Sequence, residues 1–484
     1  MNDFNYLQRI VVYTLIMNLT DYISNTFSKQ CKNNSLIGIN KRMNYLVRLE
    51  HWIKDNEKRI KVAHFKDLRK PESEIELGEI WYVLSEIRIA KKNLKKWMRP
   101  KRIGKSTLAL ATAQSWLHNE PRGVVLIISP WNFPFNLTIG PLVSALAAGN
   151  RVIIKPSELT PNVSSLMARM VDEVFEPERV SIFQGDQEVA KELLNYPFDH
   201  IFFTGSPSIG KIIMQAASKH LSSLTLELGG KSPTIIDDTA KIKMAVNKIT
   251  WGKCINLGQS CISPDYILIH ESKKNEFINE FSNNLDRVYG RSFAQKTQSL
   301  DLARVVNLRH FERLDDLLCT AIEDGASIAH GGGKDKKNLF IEPTLLDSIK
   351  LDMKIMQEEI FGPLLPIVSY KNLDECIEII NQRTKPLAIY MFSQSKRNIN
   401  TIIDNTSSGG MVVNEVKSHF LNLDLPFGGV NESGIGRSHG YHGFITFSNQ
   451  RSMQKNGQFS MVGLTFPPYT EWTKKIIRLV SRYF

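Results

Sequence analysis

Apolar residues change their spacing three times along this chain, and each change predicts a different kind of element. From Lys41 to Met98 they recur at helical intervals, as in Leu46, Leu49 and Ile53 and then Ile80, Val83, Leu84 and Ile87, which predicts two long amphipathic helices. Pro100 stops the second. Lys105 to Trp116 interleaves Thr and Ser with apolar residues and reads as extended chain, a candidate arm. From Gly123 onward short apolar runs take over: Val124 to Ile128, Val152 to Ile154, Val180 to Phe183, Ile201 to Phe203 and Leu224 to Leu226. Helical stretches fall between them at Ile139 to Ala148, Ser164 to Val174 and Ile209 to His220. Fully apolar strands alternating with helices predict a parallel sheet covered on both faces. After Pro233 a second alternation begins, with strands at Tyr266 to His270, Leu365 to Val368, Ala388 to Phe392 and Met411 to Val413. The fold class is therefore α/β, two doubly wound parallel domains, with ligands expected beyond the carboxyl ends of the strands and in the cleft between the domains. Ser129, Lys155, Thr204 and Glu227 stand at those strand ends.

A length of 484 residues fits two or three domains with sizeable cores. Cysteines at 31, 254, 261, 319 and 376 form neither a CxxC pair nor an even framework, so a reducing compartment is expected, without a disulfide scaffold or a zinc site. His270-Glu271 begins an HExxH pattern, but Lys274 stands where the second His belongs, so no metal is expected. The apolar stretch Ile10 to Met17 is far short of the ~20 residues of a membrane span, and a secretory signal is not expected either. The net charge of +12 is concentrated in Lys or Arg at 88, 91, 92, 95, 96, 99, 101, 102 and 105, with no acid among them. No nucleic-acid-binding pattern accompanies this run, so it reads as a solvated helix end.

Candidate chemistry centres on Thr225 to Cys261. Leu226-Glu227-Leu228-Gly229-Gly230-Lys231 offers a carboxylate, and Asn256-Leu257-Gly258-Gln259-Ser260-Cys261 offers a thiol. A carboxylate that can act as a base and a thiol that can act as a nucleophile are the minimum set for covalent acyl chemistry. A lone Cys is more often a small buried hydrophobe, but Gly229, Gly230 and Gly258 remove bulk where a ligand must approach backbone. Gly205-Ser206-Pro207-Ser208-Ile209-Gly210-Lys211 satisfies most of a phosphate-binding loop, and Ile212 breaks it where a magnesium-binding hydroxyl belongs. It reads as a strand, a tight turn and a helix whose free N–H groups face a pyrophosphate. Gly434 to Gly440 is a decoy, since no apolar strand precedes it. Glu158 can accept the hydroxyls of an adenosine ribose and Lys155 a ribose hydroxyl or a 2′-phosphate, although a helix N-terminal acid and a solvated lysine explain the pair equally well. Asn132, between Trp131 and Phe133, can donate to a developing oxyanion, and an Asn at a turn is also common for conformational reasons.

Six separated motifs share one order with a known family. They are Pro130-Trp131-Asn132-Phe133-Pro134, Lys155-Pro156-Ser157-Glu158, Phe203-Thr204-Gly205-Ser206, the pair of Glu227 and Cys261 segments, Glu358-Glu359-Ile360-Phe361-Gly362-Pro363 and Leu425-Pro426-Phe427-Gly428-Gly429. With them the sequence resembles the aldehyde dehydrogenase superfamily, its class 3, fatty-aldehyde-like branch in particular, from about Lys41 to about Ser452. Residues 1 to 40 match poorly. The resemblance implies an aldehyde dehydrogenase-like fold: helices and a dinucleotide-binding domain over 1–227 with a small dimerisation arm near 100–118, a catalytic domain over 228–420, and 421–484 returning to the cofactor domain and ending in an amphipathic tail. It implies Cys261 as nucleophile, Glu227 as base and Asn132 as oxyanion donor. It implies cofactor contacts from Lys155, Glu158, Gly205, Ser206, Pro207, Ser208, Ile209 and Gly210, with Glu359 on the nicotinamide ribose and Phe361 beside the ring. Asn414 matches a family position near the substrate.

The implied activity is oxidation of a medium- or long-chain aliphatic, or aromatic, aldehyde with NAD or NADP. A coenzyme A-acylating enzyme and an inactive structural member are the alternatives, and retention of Glu227, Cys261 and Asn132 argues against both. Two departures from the family are Asn431, where a glycine is usual, and Ser260 in place of the commoner Thr. A homodimer is expected, with a small-molecule substrate, no nucleic acid, and a cytoplasmic location. In the tail, Trp472, Ile476, Leu479, Val480 and Tyr483 fall on one side of a helix and Lys474, Lys475, Arg478 and Arg482 on the other. Such a helix suits either peripheral contact with an anionic membrane or docking on protein.

Overall fold

A computed structural model describes residues 19–32, 36–104, 113–458 and 461–483. Two large sheets carry the fold. The first has six strands in the order Gly434–Ile435, Ser223–Leu228, His200–Gly205, Val124–Ile128, Arg151–Lys155 and Val180–Ile182. All pairs are parallel except Gly434–Ile435, which runs antiparallel to Ser223–Leu228. Alternate side chains of Val124–Ile128 feed opposite cores, as the period of two requires. Val125 and Ile127 pack in a cluster with Leu49, Ile87, Leu142 and Met167, while Val124, Leu126 and Ile128 join Ile23, Phe27, Leu193 and Ile213.

The second sheet has seven strands, in the order Ser327–His330, Thr344–Asp347, Leu364–Tyr370, Tyr266–His270, Pro233–Ile236, Ala388–Phe392 and Gly410–Val413. Only the Ser327–His330 edge is antiparallel. Three of its strands carry no strong sequence signal. Pro233–Ile236 was hidden by its proline, which a strand tolerates at its first residue, and Ser327–His330 and Thr344–Asp347 are too short to show a period.

The N-terminal helices depart from expectation. The first ends at Asp55 and a separate helix, Glu57–Leu68, follows Asn56. The second region begins as Glu72–Ile75, passes through a π-helical turn at Glu76–Trp81 and continues as Tyr82–Trp97. The wider turn lies beside the functional site, a frequent place for such bulges. It brings Gly78 against Phe133, where an added Cβ would lie 3.3 Å from the ring, and turns Glu79 fully inward. Residues before 41 are also part of the body: a helix over 19–32 buries Ile23 and Phe27, and Gln30 donates to the carbonyls of Val152 (3.4 Å) and Pro177 (3.2 Å).

The basic run sits on an exposed helix end, with Lys92, Lys95, Lys96 and Arg99 in solvent and Lys91 paired with Glu50. A separate antiparallel sheet joins Lys101–Ile103, Gln114–Pro121 and Ser448–Lys455. The middle of the candidate arm, 105–112, lies outside the described residues. The tail forms a helix, Glu471–Tyr483, whose Trp472 and Leu479 are 61% and 59% exposed. The side chains of Val480 and Tyr483 lie outside the described ones. No helix of the described residues is long and apolar enough to cross a membrane.

Candidate active site

The thiol sits on a loop that its neighbours hold in an uncommon shape. After the helix Ile242–Cys254, Asn256 and Leu257 adopt φ of +50° and +52°, a conformation that persists only where surroundings over-determine it. They do so here. The Asn256 N–H donates to Glu74 at 2.8 Å, and its amide donates to the carbonyls of Asn132 (2.8 Å) and Gln259 (3.2 Å). The Gln259 amide donates to the carbonyls of Asn256 (3.0 Å) and Arg304 (2.9 Å) and accepts from the Val306 N–H (3.1 Å). Glycine here serves a different purpose from the expected ligand approach. At Gly258, φ is +76° and an added Cβ would lie 2.2 Å from the Gly362 carbonyl. At Gly229 it would lie 1.9 Å from the Glu359 carboxylate. In both places the chain's own atoms fill the space.

Asn132 follows the strand Val124–Ile128 and is buried. Its carbonyl accepts from Lys70 Nζ at 3.0 Å, and one of its amide hydrogens goes to the Gln259 carbonyl at 3.1 Å, which leaves the other to donate. Lys70 is fully buried and paired with Glu79 at 2.7 Å, with His64 3.3 Å from the same oxygen. Glu79 Oε2 accepts the Asn136 N–H at 2.8 Å. A buried ion pair thus pins the turn that carries Asn132.

Glu227 lies near the end of Ser223–Leu228, level with Thr204 on one side and Gly434 on the other. Its Oε1 accepts from the Ser438 hydroxyl at 2.9 Å, and its buried Oε2 has no partner. Burial pushes its carboxyl up to about 8, against the opposing pull of Ser438 and Arg437. Glu359 is likewise raised to about 8 by burial and by Asp265, and its Oε1 is also unpartnered. The Cys261 thiol is pushed up to about 12, first by burial and then by Glu359 and Glu227, while Lys417 acts in the opposite direction.

Two cavities meet at Cys261. One, of about 200 Å³, is walled by Leu77, Phe133, Leu137, Trp251 and Phe420 and also touches Glu74 and Lys417. The other, of about 40 Å³, is lined by Glu227, Ser438, His439, Tyr82 and Glu86. Cys261 lines both, so the residue borders the apolar cavity as well as the cavity that holds Glu227.

The loop from Gly205 has the expected shape. The strand His200–Gly205 leads to Ser206, which caps the helix Pro207–Ser218 by accepting from the Ile209 N–H at 3.5 Å, and Ser206 and Ser208 hydroxyls lie 3.0 Å apart. Gly210 packs the helix onto the sheet, because a Cβ there would lie 2.8 Å from Leu228. Proline at the first helical position, whose φ is preset for a helix, carries no N–H of its own. Lys155 pairs with Glu158 at 2.8 Å, and Glu158 is half-exposed. Phe361, at φ +49°, sets its ring edge to face with Trp131 at 5.4 Å. The helix N-terminus at Pro207, the orphaned buried hydroxyls of Ser129 and Thr204 and the orphaned oxygen of Glu359 fit a dinucleotide with phosphate, ribose and amide groups. Bound there, such a nicotinamide cofactor would supply a hydride acceptor.

Asn414 is occupied elsewhere: its amide exchanges hydrogen bonds with the backbone of Ser393 at 3.0 and 2.8 Å, clasping two strand ends. Asn431 has φ +56°, the left-handed angle that Asn adopts in place of glycine. Sequence reasoning missed Ser438, Glu86, Tyr82, Glu74, Lys70 and Lys417. For Ser438 a signal existed, because it lies in the glycine-rich run dismissed for lacking an apolar strand before it. That run is instead itself a strand, Gly434–Ile435, paired with the strand that bears Glu227.

Comparison with known proteins gives a consistent set of relatives. The model of the Aldehyde dehydrogenase family matches residues 23–453, so the likeness begins well before Lys41. The 4,4'-diaponeurosporen-aldehyde dehydrogenase of Staphylococcus aureus is 45% identical over 428 residues, 88% of this chain and 92% of that protein. Aldehyde dehydrogenase family 3 member A2 of Pongo abelii is 43% identical over 435 residues, 89% of this chain and 87% of its own. Among solved structures, substrate-bound AldH of Staphylococcus aureus superposes with a TM-score of 0.90 at 43% identity, covering 94% of this chain and 99% of that one.

Proposed function

Because the chain belongs to the aldehyde dehydrogenase family and is an NAD(P)-dependent, aldehyde-oxidising oxidoreductase, we propose that Cys261 is its nucleophile, Glu227 its hydrolytic base and Asn132 its oxyanion donor. The observation that carries this assignment is the junction of the two cavities at Cys261, with the unpartnered Oε2 of Glu227 lining one of them.

The Cys261 sulfur, as thiolate, attacks the aldehyde carbon, and the carbonyl pair moves onto oxygen. The remaining amide hydrogen of Asn132 and the Cys261 N–H stabilise that oxygen. A nicotinamide held by the Gly205–Gly210 turn, Glu359 and Phe361 would supply the acceptor for the hydride on that carbon, whose loss would leave Cys261 as an acyl thioester. Glu227 then takes a proton from a water whose oxygen attacks the acyl carbon; the C–S bond breaks and the carboxylate leaves. A base with a raised proton affinity suits this role near neutral pH. Its presence favours hydrolysis over transfer of the acyl group to coenzyme A, and the intact set favours an active enzyme over a structural one.

In this reading the Gly205, Ser206, Pro207, Ser208, Ile209 and Gly210 turn takes the pyrophosphate. Opening of the Lys155–Glu158 pair would admit an adenosine ribose or its 2′-phosphate, so the cofactor is NAD or NADP. Glu359 and Phe361 flank the nicotinamide end. The apolar wall of Leu77, Phe133, Trp251 and Phe420 favours medium- or long-chain aliphatic, or aromatic, aldehydes. We retain the division into 1–227, 228–420 and 421–484. A homodimer would cover the exposed edge of the small antiparallel sheet, and the tail would bring a cytoplasmic enzyme to an anionic membrane surface.

The test is a panel of aldehydes of increasing chain length with each cofactor, followed by reduced-cofactor absorbance, for the natural chain, Cys261→Ala and Glu227→Gln. Cys261→Ala should lose turnover and keep cofactor binding. Glu227→Gln should give one burst of reduced cofactor and then stall. A burst and steady state that fall together would place Glu227 before acylation, and turnover by Cys261→Ala would overturn the mechanism.

A further inference from the structure

The cavity that opens on Cys261 is apolar over most of its wall, and one cation stands in it without a partner. Lys417 is 6% exposed, and its Nζ makes no hydrogen bond. The residue is held in place by its backbone, at φ +60° immediately before the short helix Ser418–Leu421, with its carbonyl accepting from the Phe420 N–H at 3.0 Å. Buried ammonium groups are ordinarily paired, because removal from water is costly unless an anion replaces the water. The ionisable groups facing Lys417 are few. Glu74, from the turn before the π-helical segment, already accepts the Asn256 N–H. Cys261 and Cys254 face it from the thiol loop and the helix before it, and Lys70 adds a like charge.

The thiol has the complementary need. Glu227 and Glu359 are the carboxylates that face Cys261, and each opposes its ionisation, as does burial. Lys417 is the side-chain cation whose field favours it. Attack on a carbonyl needs the thiolate, so some positive charge must offset two flanking acids.

We propose that Lys417 is a positioning residue for the nucleophile: its ammonium, buried without a partner in the wall of the cavity on which Cys261 opens, is the counter-ion of the Cys261 thiolate. The proposal rests on reading Cys261 as the nucleophile. The proton lost from sulfur goes to solvent, and the thiolate in turn helps hold the ammonium charged against burial, which lowers Lys417 to about 8. A lysine at this position therefore does more than fill space, and an apolar residue of similar length would fill the cavity wall equally well while leaving the thiol protonated.

The experiment reads the thiol directly and does not need turnover. The full chain, Lys417→Met, Lys417→Gln and Lys417→Arg are treated with iodoacetamide across a pH series without cofactor or aldehyde, and alkylation of the peptide holding Cys261 is followed by mass spectrometry. Cys319, partly exposed and beside Asp315 and Lys334, is not among the groups acting on Lys417 and serves as the internal reference. Both neutral variants should slow Cys261 alkylation by roughly ten-fold from pH 7 to pH 9, the effect of about one pH unit in thiol acidity, while Lys417→Arg keeps most of the natural rate. A natural rate in Lys417→Met or Lys417→Gln overturns the proposal. So does equal slowing in Lys417→Arg, which keeps the charge and so marks altered access. If the neutral variants slow alkylation but Cys261→Ala still turns over aldehyde, the counter-ion stands and the nucleophile assignment fails.

Discussion

The hydroxyl of Ser438 donates to Oε1 of Glu227 at 2.9 Å, across 211 positions of sequence, and leaves Oε2 buried and free. One oxygen is thereby fixed and the other is available to a water in the adjoining cavity. The bond also favours the ionised carboxylate, against the upward push of burial. Ser438→Ala should therefore raise the proton affinity of Glu227 further. The acidic limb of the steady-state pH profile should move up by roughly one pH unit, since a hydrogen bond to a charged group contributes ~1.5 kcal/mol or more. The burst of reduced cofactor should stay as fast as in the natural chain. A pH profile identical to that of the natural chain would remove Ser438 from the base's surroundings.

Stability should fall as the pH rises through neutrality. Burial raises Glu74 and Glu86 to about 7 and Glu227 and Glu359 to about 8, all above the ordinary value of 4.5 expected of the unfolded chain. In each the protonated form is favoured by folding, so the stabilisation is complete below the unfolded value and is lost as pH climbs through the folded one. Burial lowers His200, His310, His419 and His439 to between about 3 and 4, which opposes this trend up to their ordinary value of 6.5, and it lowers Lys253 to about 7, which opposes it above that; the apparent Tm should therefore drop between about pH 6.5 and pH 7.5. Glu86→Gln keeps an acceptor for the Tyr82 hydroxyl, at 3.1 Å, and for the Gly440 N–H. It should flatten that slope by the share of one group. A Tm rising over the same window in the natural chain would contradict the assignment.

Removing one member of the buried Lys70–Glu79 pair should cost far more than removing both. Glu79 is held down to about 2 because Lys70 and His64 outweigh the upward effect of its burial. Lys70→Met leaves that carboxylate buried with an incomplete set of partners and takes a donor from the Asn132 carbonyl. A loss of ~3–5 kcal/mol is expected in denaturant unfolding. The double variant Lys70→Met, Glu79→Gln should recover a large part of it. If the double variant is no more stable than the single one, the pair does not act as a unit.

The exposed Trp472 and Leu479 of the tail are available to a surface outside this chain. With Lys474, Lys475, Arg478 and Arg482 on the same thirteen-residue helix, sedimentation with anionic vesicles should exceed that with neutral vesicles. A version ending at Thr470 should lose the difference. Equal recovery of both versions in the supernatant with either lipid would exclude a membrane role, and a mass change of the full chain alone in light scattering would place the helix at a subunit interface.

The sequence by itself determined those features whose physics is local. Buried strands such as Val124–Ile128 announce themselves as apolar runs because both faces are covered, and the Ser206-Pro207 turn is legible because capping and proline act within four residues. The order of motifs around Asn132, Glu227 and Cys261 was readable for the same reason, since each sits at the end of a strand or in a glycine turn with its own composition. Only the tertiary structure decided what those groups face. Ser438 reaches Glu227 through an antiparallel pairing of two residues, Gly434–Ile435, too short to have a period. Lys70 reaches Asn132 because a π-helical turn rotates Glu79 into the core, and a shift of one residue per turn leaves the apolar spacing nearly unchanged. Lys417 looks like any solvated lysine until its left-handed backbone and the walls around it deny it both water and a partner. Charge and proton affinity in a buried site depend on burial and on neighbours brought from distant segments, and neither is written in the spacing of residues along the chain.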